Sequence, residues 1–391
     1  MKIDPKTYLF KDNGSIGKIA LIVGVVGLVL SLIGYFSNST QFYFSYLTSF
    51  AFWVSLGLGG LFFTMLHHIS GARWSTVLLR ISQAAMSVLP LMIIFFIPIL
   101  IGVKDLYEWS HLDKVAESSL LQGKSGYLNV PAFTIRGGLY FAIWAVLAFF
   151  INRYSRQQDS GINTTKKLRI ISAPGMFLFA MTISFAAFDW LMSLNPYWFS
   201  TIFGGYYFGG SFVIILAFLI IISNYLKANG VLQKEIGSAH FSDLGKLFFG
   251  FIVFWAYLGG AQYFFIWYAN IPEETIWFLA RWKNSWETVS LVLIFGHFLI
   301  PFISLIFYNT KRNRKILFFF AIWIFIFHYV DMYWLVSPTL HTETAHLSWL
   351  DLTTFFGIGG IFITLFWKNF TSKSIIPIND PNLDASISLH E

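Results

Sequence analysis

The sequence predicts an all-α polytopic membrane protein with ten transmembrane helices. Hydrophobic residues make up 56% of its 391 residues, and charged residues make up 12%. The charged residues cluster between long apolar runs, a pattern that a soluble domain of this length would not show. Trp and Tyr recur near the ends of the runs, as expected where amphipathic rings settle at the headgroup level.

Each apolar run is close to the roughly 20 residues that a bilayer core requires. The first is long enough to span and has no small-residue cleavage site after it, so it is predicted to be a membrane helix and not a signal peptide. The ten predicted spans are residues 16–36, 42–66, 77–101, 133–150, 170–194, 201–225, 244–268, 286–308, 316–336 and 351–366, of which the fourth and tenth are short. Residues 1–371 are thus predicted to form one transmembrane domain, and the polar residues 372–391 a cytoplasmic tail.

The basic residues predict the orientation. Of the 26 Lys and Arg residues, 20 lie near the N-terminus or in the alternate segments that share its side, and six lie on the opposite side. Because cytoplasmic loops carry an excess of Lys and Arg, both termini are predicted to be cytoplasmic. The net charge of +7 is explained by this asymmetry and does not indicate nucleic-acid binding.

Spans two to five and six to nine are predicted to form two four-helix bundles, with spans one and ten flanking them. The fourth and eighth spans end in similar residues before basic loops, and Asp189 stands seven residues before Pro196, as Asp331 does before Pro338. An offset of four helices keeps the direction, so the two units would be parallel repeats. Both acids are then expected at matching depth, near the outer face.

The two buried acids are the first candidate site. An ionisable group inside an apolar run is costly unless it is paired, protonated or in contact with water, which makes it a functional hypothesis by default. Asp189, Asp331 and His328, three residues before Asp331 and on the same helix face, are predicted to handle protons. The alternative is a structural polar contact between helices. Arg136, at the outer start of the fourth span, is either the counter-charge of one acid or a surface cation.

Glu273 and Glu274 form a second candidate group, in the polar segment after the seventh span. Two interpretations remain open. They belong to a proton-exit region near the outer face, or they only begin a short interfacial helix, since Pro272 and acidic residues both favour a first helical turn.

The sequence predicts no metal site and no redox centre in this chain. Cysteine is absent, which excludes thiolate-held iron–sulfur clusters within the chain. His297 and His328 fall at similar depth and are the one pair that could hold a b-type haem, but membrane cytochromes usually carry several such histidines. No haem-attachment motif is present.

Two stretches carry a family resemblance. Residues 188–204, FDWLMSLNPYWFSTIFG, and residues 262–275, QYFFIWYANIPEET, resemble the F-subunit family of bacterial alternative complex III, which is similar to the NrfD and polysulfide-reductase membrane subunits. The likeness extends over essentially all ten spans. Alternative complex III is a quinol oxidoreductase that passes electrons to cytochrome c or directly to a terminal oxidase.

The resemblance implies a subunit of the bacterial inner membrane that lines a quinol or menaquinol site or conducts protons, through Asp189, Asp331 and His328. Glu273, Glu274 and Arg136 would then belong to the quinol or proton-exit region. It implies as partners a second, homologous NrfD-like membrane protein, a multihaem cytochrome c, an iron–sulfur protein, further members of the complex and a terminal oxidase. The haem c and the iron–sulfur clusters would belong to these partners. A secondary transporter and a scaffold without chemistry remain open, because ten helices, repeated units and buried acids suit a transporter equally well.

Overall fold

The computed structural model describes residues 8–10 and 15–389. Lys2, Lys6 and Lys11, which contribute to the predicted orientation, lie outside these residues, as do the last two residues of the predicted tail. Over the described ranges the chain is helical and contains no strand, and ten helices are long and apolar enough to cross a membrane. The predicted all-α, polytopic fold class is therefore confirmed.

The ten helices overlap the ten predicted spans. They are α1 (Ser15–Ser37), α2 (Ser39–Ser70), α3 (Thr76–Ile101), α4 (Val130–Asp159), α5 (Thr165–Leu194), α6 (Phe203–Ala228), α7 (Ser238–Ala269), α8 (Asn284–Leu305), α9 (Arg314–Thr339) and α10 (Trp349–Thr371). The predicted ends are most in error at the fourth span, where the helix continues to Asp159. Hydropathy marks the part of a helix that contacts lipid, whereas the hydrogen-bonded helix continues through polar residues.

Two of the helices are irregular. α3 breaks between the helical segments Leu79–Met86 and Leu89–Ile101. α8 contains a π-helical segment, Ile294–Leu299, followed by Pro301, which has no N–H to donate. Such π-segments widen a helix by one residue and are frequent at functional sites. Pro90 and Pro301 lie next to the two irregularities and are the sequence features that accompany them.

α2 and α6 form the centre of the molecule. Burial within the protein reaches 89% for the apolar window of α2 and 83% for that of α6, against 22% for α1. α2 packs against α3, α5, α6, α9 and α10, and α6 also packs against α5, α7 and α9. α1 lies along α10, where a Cβ added to Gly27 would come within 2.6 Å of the backbone nitrogen of Gly357. Small residues permit this close approach of two helix backbones.

The connecting segments gather at two ends of the helices. One end, here called the long-loop face, consists of residues 102–129, 195–202, 270–283 and 340–348. There Lys124 Nζ donates to the carbonyl of Pro196 at 2.6 Å, and the rings of Trp198 and Trp277 stack with centroids 4.5 Å apart. The opposite end is called the tail face. Asp189 and Asp331 both lie in the parts of α5 and α9 nearer the long-loop face.

The C-terminal segment packs on the tail face, in contrast to a free polar tail. Ile375, Ile376 and Leu383 are buried. The backbone N–H of Ile378 donates to Asp159 Oδ1 at 3.2 Å. Ile378 is buried as well, so four apolar side chains and a few hydrogen bonds dock a segment that is polar overall. Its cytoplasmic location stays a prediction.

Candidate functional site

Asp189 is buried in an ion pair with Arg136. The Arg136 guanidinium donates from Nε to Oδ2 at 2.8 Å and from Nη2 to Oδ1 at 2.9 Å, and the Tyr140 hydroxyl donates to Oδ2 at 2.7 Å. The ring of Tyr127 covers the guanidinium with its centroid 3.7 Å from Cζ. Two parallel hydrogen bonds make this the strongest form of arginine–carboxylate pair. The charge of Asp189 is therefore compensated within the protein.

Asp331 is equally buried but has no such cation. The Tyr206 hydroxyl of α6 donates to Oδ1 at 2.5 Å, and Trp255 Nε1 of α7 donates to Oδ2 at 3.2 Å. His328 Nδ1 lies 3.9 Å from Oδ2, which is beyond hydrogen-bonding distance. Among the described residues, no lysine or arginine forms an ion pair with Asp331. Two neutral donors thus hold this acid.

His328 lies on the same face of α9 as Asp331, as predicted. Its Nε2 is 3.0 Å from the hydroxyl of Ser55 on α2. His297, in the π-helical segment of α8, has its ring centroid 6.4 Å from that of His328 and 3.9 Å from that of Trp255. Within the part of the chain that the structure describes, no group of three or more His, Asp or Glu is arranged to hold a metal ion.

An aromatic cavity adjoins the two donors of Asp331. Its volume is about 460 Å³, within the range of small-molecule sites. Helices α6, α7, α8 and α9 and the short helix Pro272–Arg281 all contribute to its walls. Aromatic wall residues include Tyr206, Trp255, Tyr257, Trp277, Phe278 and Trp334. Tyr206 and Trp255 therefore belong to the cavity wall and to the Asp331 site at once.

Two consecutive glycines of α7 make room for the cavity. A Cβ at Gly259 would lie 2.9 Å from Cε2 of Tyr206, so the absent side chain lets the tyrosine ring approach the helix. A Cβ at Gly260 would have no atom within 4 Å, because Gly260 borders open space. The empty volume thus results from a sequence of small residues between large aromatic ones.

Gln262 presents an unpaired amide to this cavity. It follows Trp255 and Gly259 on one stripe of α7, at positions i, i+4 and i+7. The residue is only 6% exposed, lines the cavity and has no side-chain hydrogen bond among the described residues. His297 also lacks partners, but its ring nitrogens are fully enclosed. Gln262 belongs to residues 262–275, one of the two stretches that carry the family resemblance, but nothing else in the sequence indicates a role for it.

Arg281 is a buried structural residue at the edge of the cavity. In the sequence it counts only as one of the basic residues from which the orientation is predicted. Its guanidinium donates to the carbonyls of Trp277, Trp334 and Leu335 at 2.9 to 3.1 Å and lies 3.4 Å from the Trp277 ring centroid. Burial lowers the pKa of Arg281, and the three carbonyls replace part of its hydration. Arg281 thereby fixes the short helix Pro272–Arg281 against the end of α9.

Glu273 and Glu274 lie in the first turn of that helix, with Pro272 at its start, as expected for a helix beginning. Neither lines the cavity, and neither forms an ion pair with a described residue. Trp277 and Phe278, one turn later, do line it. The contribution of this helix to the cavity is therefore aromatic.

A smaller cavity of about 340 Å³ lies beside Asp189 at the long-loop face. Its walls include Lys124, Tyr127, Phe188 and Trp198. Burial lowers the pKa of Lys124. The carboxylate of Asp189 is engaged by Arg136 and Tyr140 and is buried, so this cavity has no free acid behind it.

Comparison with models of known protein families gives no match, and comparison with curated proteins gives none either. The resemblance carried by residues 188–204 and 262–275 therefore stays a prediction. The geometry itself distinguishes the two acids: Asp189 is held in an ion pair, whereas Asp331 lies behind the wall of an aromatic cavity and has no cationic partner among the described residues.

Proposed function

We propose that this chain is a membrane subunit of a quinol-oxidising complex, that its aromatic cavity binds the quinol, and that Asp331 accepts a proton from it. One observation carries the proposal. Tyr206 lines the cavity, and its hydroxyl donates to Asp331 at 2.5 Å. Asp331, an acid without a compensating cation among the described residues, is therefore one hydrogen bond away from the space that a ligand would occupy.

The walls of the cavity favour a ligand that dissolves in the bilayer over a polar solute. Nearly all of the wall residues are aromatic or aliphatic. Tyr257 lines the cavity and is also 65% exposed on the flank of α7, so the space extends toward the lipid-facing surface. A transported polar solute would instead need a water-accessible entrance and several polar contacts.

The proposed proton step uses Tyr206 as a relay. Oxidation of a quinol to a quinone releases two protons and two electrons. As one of the two ligand hydroxyls gives its proton to the oxygen of Tyr206, the tyrosine passes its own proton to Oδ1 of Asp331, so the relay takes up one of the two protons. A positioned acid–base group of this kind must be within hydrogen-bonding reach of the proton it receives. The electrons leave to a redox centre of a partner protein, since this chain has no thiolate for an iron–sulfur cluster.

The proposal assigns different roles to the two halves of the molecule. Helices α2–α5 and α6–α9 are proposed to be two four-helix bundles related by an offset of four. In the first, Arg136 of α4 neutralises Asp189. In the second, the corresponding part of α8 contributes Ser290 and Leu293 to the cavity wall, so Asp331 meets no arginine and the space stays open. Asp189 then stabilises the structure, while Asp331 and His328 handle protons.

The F-subunit family of alternative complex III supplies the wider setting of this proposal. The partners would be a second NrfD-like membrane protein, a multihaem cytochrome c, an iron–sulfur protein and, in some assemblies, a terminal oxidase. The complex would lie in the bacterial inner membrane. The excess of Lys and Arg toward the tail face supports a cytoplasmic tail face and an outward long-loop face.

A cavity-filling substitution tests the proposal. Gly260→Leu places a side chain in the cavity, whereas Gly250→Leu places the same side chain on α7 at another site where a Cβ meets no atom within 4 Å. We expect the purified protein to bind 2-methyl-1,4-naphthoquinone, and Gly260→Leu to weaken binding at least about tenfold, since one well-placed leucine removes most of the ring space. Gly250→Leu should bind like the native protein. Absence of binding, or equal binding by both variants, would overturn the proposal.

A further inference from the structure

We infer that Gln262 binds an oxygen atom of the ring ligand in the aromatic cavity and sets the orientation of that ligand. The inference rests on the proposed function and names a recognition residue for the same site. Gln262 is a polar side chain, 6% exposed, that lines an apolar cavity and has no hydrogen-bond partner among the described residues.

An amide that lines an apolar cavity and has no protein partner can form its hydrogen bonds only with water or with a ligand inside the cavity. Ser290, another polar residue that lines the cavity, is already occupied. Ser290 Oγ donates to the carbonyl of Arg281 at 2.7 Å and accepts from Trp334 Nε1 at 2.8 Å. The amide of Gln262, in contrast, is free to bind a ligand in the cavity.

The position of Gln262 gives the cavity a polar end and an apolar end. Gln262 is seven residues after Trp255 on one stripe of α7, or roughly 10 Å nearer the long-loop face at 1.5 Å per residue. The walls at the other end include Val253 and Phe298. A ligand with an oxygen-bearing ring and an apolar substituent fits this arrangement in one direction only, with the oxygen toward Gln262 and the substituent toward the membrane interior.

The amide also determines which chemical forms of the ligand are accepted. A glutamine side chain has both a carbonyl acceptor and an NH₂ donor. It can donate to a quinone carbonyl and accept from a quinol hydroxyl. Gln262 would thus hold the ring oxygen through a change of redox state, while the Tyr206–Asp331 pair receives the proton.

A pair of ligands separates hydrogen bonding from packing. Gln262→Met keeps the size of the side chain and removes the amide. We expect it to weaken binding of 2-methyl-1,4-naphthoquinone about tenfold and binding of 2-methylnaphthalene, which has the same ring and no oxygen, by less than about twofold. Gln122→Met, on the long-loop face outside the cavity, is the matched control and should leave both affinities unchanged.

Each result has a defined consequence. Equal weakening for the two ligands would mean that Gln262 only packs, and unchanged affinity for the quinone would mean that it does not contact the ligand; either overturns the inference. In both cases, quinone binding that Gly260→Leu abolishes would leave the proposed function standing. If the native protein binds neither ligand, the inference and the proposed function both fail. Gln262→Leu, with its unfolding temperature measured alongside, serves as a second variant should Gln262→Met fold poorly.

Discussion

The hydroxyl of Tyr206 donates to Oδ1 of Asp331 at 2.5 Å, which joins the wall of the aromatic cavity to a buried acid. Asp189 lies at a similar place in α5 but is engaged by Arg136 through two hydrogen bonds. A carboxylate that already has a fixed cation gains little from a proton, whereas one held by neutral donors has no competing charge. The proposed proton role therefore depends on Asp331 and its neighbours.

Tyr206→Phe should slow quinol oxidation by the assembled complex by about 10²-fold, since a positioned acid–base group typically contributes this much. The KM for quinol should change by no more than about threefold, because the ring that lines the cavity is retained. Steady-state kinetics on the purified complex measure both. Tyr207→Phe is the control: the neighbouring hydroxyl donates to the carbonyl of Ala51 at 2.7 Å and not to Asp331. Equal loss of activity in both variants would count against the relay.

Asp189→Asn should destabilise the protein more than Asp331→Asn does. It leaves the Arg136 guanidinium without its counter-charge, at a cost of about 1–3 kcal/mol, less than for a fully buried pair because the Arg136 side chain is 18% exposed. Asp331→Asn removes no ion pair. Thermal unfolding of the two purified variants compares them. If Asp331→Asn were the less stable of the two, the conclusion that only Asp189 depends on an ion pair would be wrong.

The fold class is readable from the sequence because each spanning helix needs a run of about 20 apolar residues, and all ten runs are present. The helix ends are less readable. α4 continues to Asp159 through Arg153 and Arg156, since a helix can leave the membrane without ending. The docking of residues 372–389 is not readable either, because it depends on a few apolar side chains such as Ile375 and Leu383.

The candidate site is partly readable for a different physical reason. Asp331, His328 and Asp189 are detectable as charges inside apolar runs, and the pairing of Arg136 with Asp189 is one of the two interpretations that the sequence leaves open. A cavity, by contrast, results from side chains that are absent, as at Gly260, among residues of four membrane helices and one short helix. A binding role for Gln262 could not be predicted from the sequence, because it depends on the cavity that surrounds this residue.

The docking of the C-terminal segment should weaken as pH rises. Burial raises the pKa of the Asp380 carboxyl above its usual range near 4. A group whose pKa is higher in the docked state stabilises docking fully at low pH and loses that contribution as pH rises through the raised pKa. Limited proteolysis near the tail should therefore be faster at about pH 7 than at about pH 4, the ordinary range of the carboxyl.

Asp380→Asn should remove this pH dependence and keep the segment protected at both values. Asp384→Asn, which changes an exposed acid of the same segment, should behave like the native chain. An unchanged pH dependence in Asp380→Asn would exclude Asp380 as its source.

The orientation can be tested without background labelling, because the chain contains no cysteine. Ser160→Cys lies on the tail face, between α4 and α5, and Ser125→Cys lies on the long-loop face. Both positions are exposed. We expect a membrane-impermeant maleimide to react with Ser160→Cys only from the cytoplasmic side and with Ser125→Cys only from outside. The reverse pattern would place the cavity and Asp331 toward the cytoplasm and overturn the proposed outward orientation of the long-loop face.

The most direct test of the central claim is quinol oxidation by an assembled complex that carries Asp331→Asn. The amide keeps the size of the side chain and can still accept from Tyr206, but it cannot take up the proton. Binding of 2-methyl-1,4-naphthoquinone should stay within about twofold of native while turnover falls by about 10²-fold or more. Native turnover in an Asp331→Asn complex that is fully assembled and binds the quinone normally would contradict the claim that Asp331 accepts the proton.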